Sequence, residues 1–478
     1  MGADTAVPSR GPVRSSSTLY TYARIAIRPG TRSLPAVRSS TRNSQRSLLS
    51  LSRVANHARR GASSPTRGRR AHTRHPDRSP QHRMLCGPMR SRAERPGFRT
   101  SLLAPPGGHS YTARMPTPAR VAVVPEKPGP IRIEEVSLPD PAPAQVVVKI
   151  LSSGVCHSQL HEIYGPREAD IVLGHEATGT VVAIGSAVDH VAPGDCVLVT
   201  WIPRMAGPLP RVPEPAVVTQ TSGRVAASQA IFTWADHTIA DELYIVKLPD
   251  DVRTDVTCII GCAVMTGSGA VINTAGVAAG QSVAVFGAGG VGLCAIAAAK
   301  VVGADPIIAV DLDEAKLATA RRHGATETVD ASQVDPVERI RELTPVEGCV
   351  DLMGQPVAGV DFAFDCIGAD ETARQILPAA RNKTLGSDER STAVLVGIPR
   401  DALTVEALDL LAHEKHLTGS IGGTSQPERD VPMYLEWFAR GDLDLDSLVT
   451  RRYSLDEIND AVAAIEKGEI EGRAILEF

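Results

Sequence analysis

From residue 119 onward the apolar positions fall into short runs of β-branched side chains cut by Pro and Gly. Residues 119–124, 145–150 and 179–185 are the clearest of these, and 194–199 continues the pattern with Cys196 as a packing position. Such spacing predicts an antiparallel, partly closed β-domain. A Pro-rich irregular stretch follows Trp201-Ile202-Pro203-Arg204-Met205, strand character resumes over 232–248, and 255–280 reads as helix-rich.

The pattern changes again at 282–292, where a four-residue apolar strand runs into Gly287, Gly289 and Gly292. An Ala-rich helix (293–302) and a second strand (307–310) ending at Asp311 come next, the order of a dinucleotide-binding unit. Gly287 permits the tight turn, Gly289 lets the backbone approach a pyrophosphate, and Gly292 lets helix pack on strand. The helix N-terminus then faces the phosphate charge. Asp311, about twenty residues beyond the glycines, would accept hydrogen bonds from ribose hydroxyls and repel a 2′-phosphate, which favours NAD over NADP. Strands at 360–365 and 392–398 extend this unit into a doubly wound parallel sheet. After Gly422 the chain returns to helices (431–440, 455–467) and a last strand (474–478).

Composition alters this picture mainly at the N-terminus. Residues 1–114 carry over twenty arginines, no lysine and three acids, so the remainder has a net charge of about −23 against −4 for the whole chain. This segment lacks periodicity and is expected to be disordered. Three readings compete for it: an organellar transit peptide, a nucleic-acid-binding arm, or upstream sequence translated from a start codon set too early. The missing lysine and the abrupt onset of strand alternation after Met115 favour the last. The acidic remainder argues against nucleic acid as a partner. No apolar run approaches the roughly 18 residues that cross a bilayer. Eight scattered cysteines without a secretory segment suit a reducing compartment, so a cytoplasmic protein without membrane partners is expected.

Candidate chemistry centres on Gly154-Val155-Cys156-His157-Ser158-Gln159-Leu160-His161, read with Gly174-His175-Glu176. Thiolate and imidazole are ligands that zinc prefers, and a catalytic ion takes three protein ligands with one position left open. Cys156 and His175 supply two, and a third must lie elsewhere. Buried Cys and satisfied His are common in ordinary cores, so the pair alone is weak.

These motifs, followed by Gly261-Cys262 before the glycine-rich turn, resemble the zinc-dependent alcohol dehydrogenases of the medium-chain dehydrogenase/reductase superfamily. The resemblance covers 115–478 and implies an α/β chain in which a GroES-like β-barrel catalytic domain (115–263) precedes a Rossmann coenzyme domain (264–421). A return segment (422–478) completes the first. It implies one catalytic zinc held by Cys156, His175 and Cys262, with Glu176 as a carboxylate close to the metal. Ser158 matches the hydroxyl that takes the alcohol's proton, and His161 the outer end of the relay. For the cofactor it implies His157 and Arg473 at the pyrophosphate and Gly287, Gly289, Gly290, Val291 and Gly292 at the turn. Thr266 joins Val291 behind the nicotinamide, Asp311 and Lys316 lie at the adenosine ribose, and Ile367, Val396 and Ile398 line the crevice. Trp201 matches an aromatic of the substrate cleft.

Two departures stand out. Relatives carry Asp where this chain has Gln159, whose amide oxygen could still accept a hydrogen bond from the ligand histidine but lacks the charge. The structural-zinc lobe has lost its cysteines: Met205 follows Arg204, and no Cys occurs between Cys196 and Cys258. One metal per subunit is therefore expected. Residues 347–360 are longer than the corresponding turn of relatives, and Gly348-Cys349-Val350 reads as an inserted surface loop in which Cys349 has no role. The function implied is reversible hydride transfer between a small alcohol and NAD in a homodimer or homotetramer. The alternatives are a thiol-adduct formaldehyde dehydrogenase and a non-catalytic nucleotide-binding regulator.

Overall fold

The computed structural model describes residues 117–205, 211–228, 230–399 and 402–478. The expected extension 1–114 lies outside them, as do residues 206–210 of the Pro-rich stretch that follows Met205.

The alternating stretches form two sheets. One has five strands in the order Arg132–Leu138, Thr117–Val124, Ile171–Val172, Val225–Ala227, Val217–Thr219. The other is built on the eleven-residue strand Gln145–Val155, which is long enough to take several partners. Glu176–Ile184 pairs along one edge of it, while His237–Asp241 and the late strand Arg473–Glu477 share the other. Ala474 lies opposite Val155 in that antiparallel register, so the chain's return brings Arg473 beside Cys156.

The second half is a six-stranded parallel sheet in the order Glu327–Asp330, Ile307–Asp311, Val283–Phe286, Phe362–Asp365, Thr392–Leu395, His416–Gly419. Its inner strands are apolar except at the end residues Asp311, Asp365 and Thr392, because helices cover both faces; all four residues of Val283–Phe286 are buried. Strand order reverses between Val283–Phe286 and Phe362–Asp365. A crevice therefore opens at their carboxyl ends, where ligands of such sheets bind. One continuous core, from Leu198 and Ile259 through Leu293 and Ile296 to Trp437, joins the barrel to the parallel sheet.

The stretch expected to be a surface loop is instead a β-hairpin, Pro345–Val350 with Pro356–Ala358, and Cys349 lies in its first strand. Asp351 Oδ1 accepts the amide N–H groups of Met353 and Gln355, both at 2.9 Å, and Gly354 takes φ 75°; this turn chemistry sets up the pairing.

Candidate active site

Strand pairing explains how residues far apart in sequence meet. Cys156 follows the end of Gln145–Val155 and His175 precedes Glu176–Ile184, and the register Ser153 to Ala177 holds those two ends together. Cys262 stands at the start of the helix Ala263–Gly269. The Cys156 and Cys262 sulfurs and a His175 ring nitrogen all lie within 4.8 Å of one another. Donors sharing one zinc at about 2.0–2.3 Å can be at most about 4.6 Å apart, so the set closes on an ion with little movement.

The donor chemistry fits a cation as well. His175 Nε2 is buried and has no hydrogen-bond partner among the described residues. The Cys156 thiol is held well below the usual range, first by its hydrogen bond with Cys262 and, against burial, by Arg473 and His175. That same bond and burial push Cys262 up, so the two sulfurs share one proton-donating contact in which Cys156 is the more acidic partner. Cys258, one turn earlier, is simply buried, and its thiol is pushed up to about 12. It is a packing residue.

Next to the thiols lies a buried ion pair, Glu176 with Arg473 Nη2, both at most 6 % exposed at the side chain. Its space is carved out by glycines. A Cβ on Gly154 would overlap the Glu176 carboxylate, and one on Gly261 would stand 3.1 Å from Glu176 Cβ. Gly154 is thus required by the carboxylate, whereas at Gly261 a Cβ would be tight against the Glu176 strand and the Val199 carbonyl. Burial pushes the Glu176 carboxyl up and Arg473 opposes this. The stem of Arg473 runs against Gly290, where a Cβ would overlap its Cδ, so the guanidinium stands between the candidate ligands and the glycine-rich turn.

At that turn Gly287 has φ 98°, and a Cβ on Gly292 would overlap the Gly287 carbonyl. Nothing among the described residues lies within 4 Å of a Cβ built on Gly289, which leaves an open backbone face suited to a pyrophosphate. Asp311 Oδ2 accepts the Ala288 N–H at 2.8 Å, tying the second strand to the turn. Lys316 is half-buried on the following helix, Glu314–His323. Ile367 and Ile398 expose 48 % and 50 % of their surface beyond the central strands, with Val396 half-buried between them in sequence. Thr266 is buried with its hydroxyl unpartnered, one residue from Gly267, which packs on the Val291 carbonyl.

Ser158 Oγ donates to Cys156 Sγ at 3.2 Å, and the His157 and His161 rings meet edge to face at 6.4 Å. Gln159 departs from expectation. Its Oε1 accepts the Cys156 N–H at 2.8 Å rather than reaching the histidine, and Nε2 is buried without a partner among the described residues. Trp201 stands edge-on to His175, ring centroids 6.4 Å apart, and packs against Gly422. Met205 is 74 % exposed.

Sequence reasoning missed Glu162. Burial pushes its carboxyl up, and it feels the charges of His175 and Cys156. The available signal was helical spacing, since Glu162 lies four residues beyond Ser158.

Comparison with known proteins agrees with this architecture. Residues 142–250 match the family described as alcohol dehydrogenase GroES-like domain, and residues 290–440 the family described as zinc-binding dehydrogenase. The chain is 30 % identical to alcohol dehydrogenase class-3 of Cereibacter sphaeroides, over 73 % of this chain and 97 % of that one. It is 32 % identical to geraniol dehydrogenase of Castellaniella defragrans, over 73 % and 95 %. The crystal structure of benzyl alcohol dehydrogenase from Acinetobacter calcoaceticus superposes with TM-score 0.64 at 27 % identity, covering 76 % of this chain and 99 % of the other. With both domain types matched in order and relatives aligned over nearly their full length, the chain belongs to the zinc-dependent alcohol dehydrogenases of the medium-chain dehydrogenase/reductase superfamily and is an oxidoreductase.

Proposed function

We propose that this enzyme interconverts a small primary or secondary alcohol and its carbonyl with NAD, using one zinc per subunit held by Cys156, His175 and Cys262. The observation that carries the reading is the convergence of two sulfurs and an unpartnered imidazole nitrogen, joined through Arg473 to an open glycine turn. When bound, zinc supplies Lewis acidity that lowers an alcohol's pKa by many units. NAD supplies the hydride acceptor.

The chain's own residues do the rest. Two thiolates offset the dication and keep the site near neutrality. Ser158 Oγ takes the alcohol's proton, and His161 carries it outward. Glu176 balances the guanidinium of Arg473, which with His157, Gly287, Gly289, Gly290 and Gly292 would hold the pyrophosphate. Thr266 and Val291 back the nicotinamide, Asp311 and Lys316 hold the adenosine ribose, and Ile367, Val396 and Ile398 exclude water from the crevice. Trp201 narrows the substrate cleft.

We assign 115–263 and 422–478 to the catalytic unit and 264–421 to the coenzyme unit. The edge strand His416–Gly419, flanked by Leu411 and Ile421 at 80 % and 76 % exposure, supports a homodimer or homotetramer. No helix of the described residues is long and apolar enough to cross a membrane. The free cysteines fit a cytoplasmic setting.

An alcohol panel with NAD, followed by NADH absorbance, tests the reading; absence of turnover for every alcohol overturns it. Ser158→Ala is expected to lower turnover by about a hundredfold. The deficit should shrink at alkaline pH, where hydroxide can take the proton, and a pH profile of kcat parallel to that of the parent enzyme would remove Ser158 from the relay. Asp311→Ser should raise the NADP-to-NAD ratio of kcat/KM by about tenfold or more, because the carboxylate that repels a 2′-phosphate is gone. Steady-state kinetics with both cofactors checks this, and an unchanged ratio shows that Asp311 does not set the preference.

A further inference from the structure

The helix Gln159–Tyr164 has two distinct sides. Leu160 is buried in a core cluster with Trp234 and Ile458, Ile163 packs against that cluster, and Gln159 is 1 % exposed. At about 100° per residue, Ser158, His161 and Glu162 share the opposite side. Residues at i and i+4 stand about 5–6 Å apart at Cβ, so Glu162 lies one turn beyond the relay hydroxyl, a distance that a short carbon chain spans.

Glu162 is half-buried, and its carboxylate makes no hydrogen bond or ion pair among the described residues; only its backbone carbonyl is engaged, by Arg167. Burial pushes the carboxyl up, while His175 pulls it down and Cys156 adds to the rise, which puts the group within the field of the candidate ligands. Charges nearby are otherwise matched. Glu176 has Arg473, and Cys156 and Cys262 would be matched by the zinc proposed for them. The Glu162 carboxylate lacks a counterpart among the described residues.

We infer that Glu162 reads the far end of the substrate, selecting alcohols that carry an ammonium group over neutral alcohols of the same length and against anionic ones. The inference rests on the alcohol dehydrogenase reading and narrows its substrate class. A hydrogen bond to a charged partner in a partly desolvated cleft corresponds to about a ten- to hundredfold preference. The same carboxylate disfavours an anionic thiol adduct of formaldehyde, the runner-up substrate.

The test compares aminobutanol, pentanol and hydroxybutanoate on the full-length, zinc-loaded enzyme with NAD. The expected result is that Glu162→Gln lowers the kcat/KM ratio of aminobutanol to pentanol by about tenfold or more, and that Glu162→Lys reverses the preference toward hydroxybutanoate. Calorimetric titration of the zinc-loaded protein with aminobutanol in the presence of NADH should show the same weakening without turnover. Unchanged ratios in both variants, or a parallel decline for all three alcohols, overturn the inference. If the unaltered enzyme oxidises none of the three, the alcohol dehydrogenase reading fails first, and calorimetry still decides the role of Glu162.

Discussion

Replacing Cys262 by serine or His175 by alanine is expected to reduce alcohol turnover by about a thousandfold or more, equivalent to about 4 kcal/mol of transition-state stabilisation. Zinc content should fall well below one ion per subunit in the same variants. The reasoning is geometric. Three donors within 4.8 Å define one ion position, and removing any of them leaves two ligands, too few for a catalytic zinc site. The dinucleotide turn is built from different residues, so NAD binding measured by fluorescence should survive. Metal analysis and kinetics on one preparation separate the outcomes. Full zinc occupancy with undiminished turnover would remove Cys262 from the ligand set. Full occupancy without any turnover, even in the unaltered protein, would favour a nucleotide-binding regulator.

Breaking the buried pair should cost nearly as much in stability as losing a ligand costs in activity. Arg473→Met leaves the Glu176 carboxyl buried without its counter-charge and beside two thiols, and losing one partner of a buried pair typically destabilises by about 3–5 kcal/mol. Glu176→Gln leaves the guanidinium without its main counter-charge and should be destabilising in the same way. Combining the two removes both charges together, so the double variant should be more stable than either single one. Denaturant unfolding of all four proteins measures this cycle. Strict additivity would mean that the two side chains do not depend on each other in the folded chain.

Periodicity alone made much of the fold legible. Alternating β-branched runs marked the barrel strands, and the strand at 283–286 with Gly287, Gly289, Gly292 and Asp311 marked the parallel sheet, because each local pattern has few ways to bury its apolar face. The hairpin at 345–358 was not legible, since its pairing depends on how the Asp351 carboxylate folds back on two amides. At the site, Cys156, His175 and Cys262 were found through motif order. What spacing could not supply was partnership. Gln159 spends its oxygen on the Cys156 amide, Arg473 is engaged by Glu176 as well as lying against the glycine turn, and Glu162 shares a side of its helix with Ser158 and His161. Each of these depends on contacts between elements, which a linear reading does not encode.

The antiparallel strand that delivers Arg473 to Glu176 spans a separation of 297 residues, so it has a bearing on biosynthesis. A nascent polypeptide still tethered to the ribosome at residue 470 would hold the barrel's acid without its cation, and the coenzyme half would be free to fold first. Maturation of this pocket should therefore wait until Arg473 has been made and paired, and until then the Cys156 and Cys262 thiols stand open to oxidants and to competing ions.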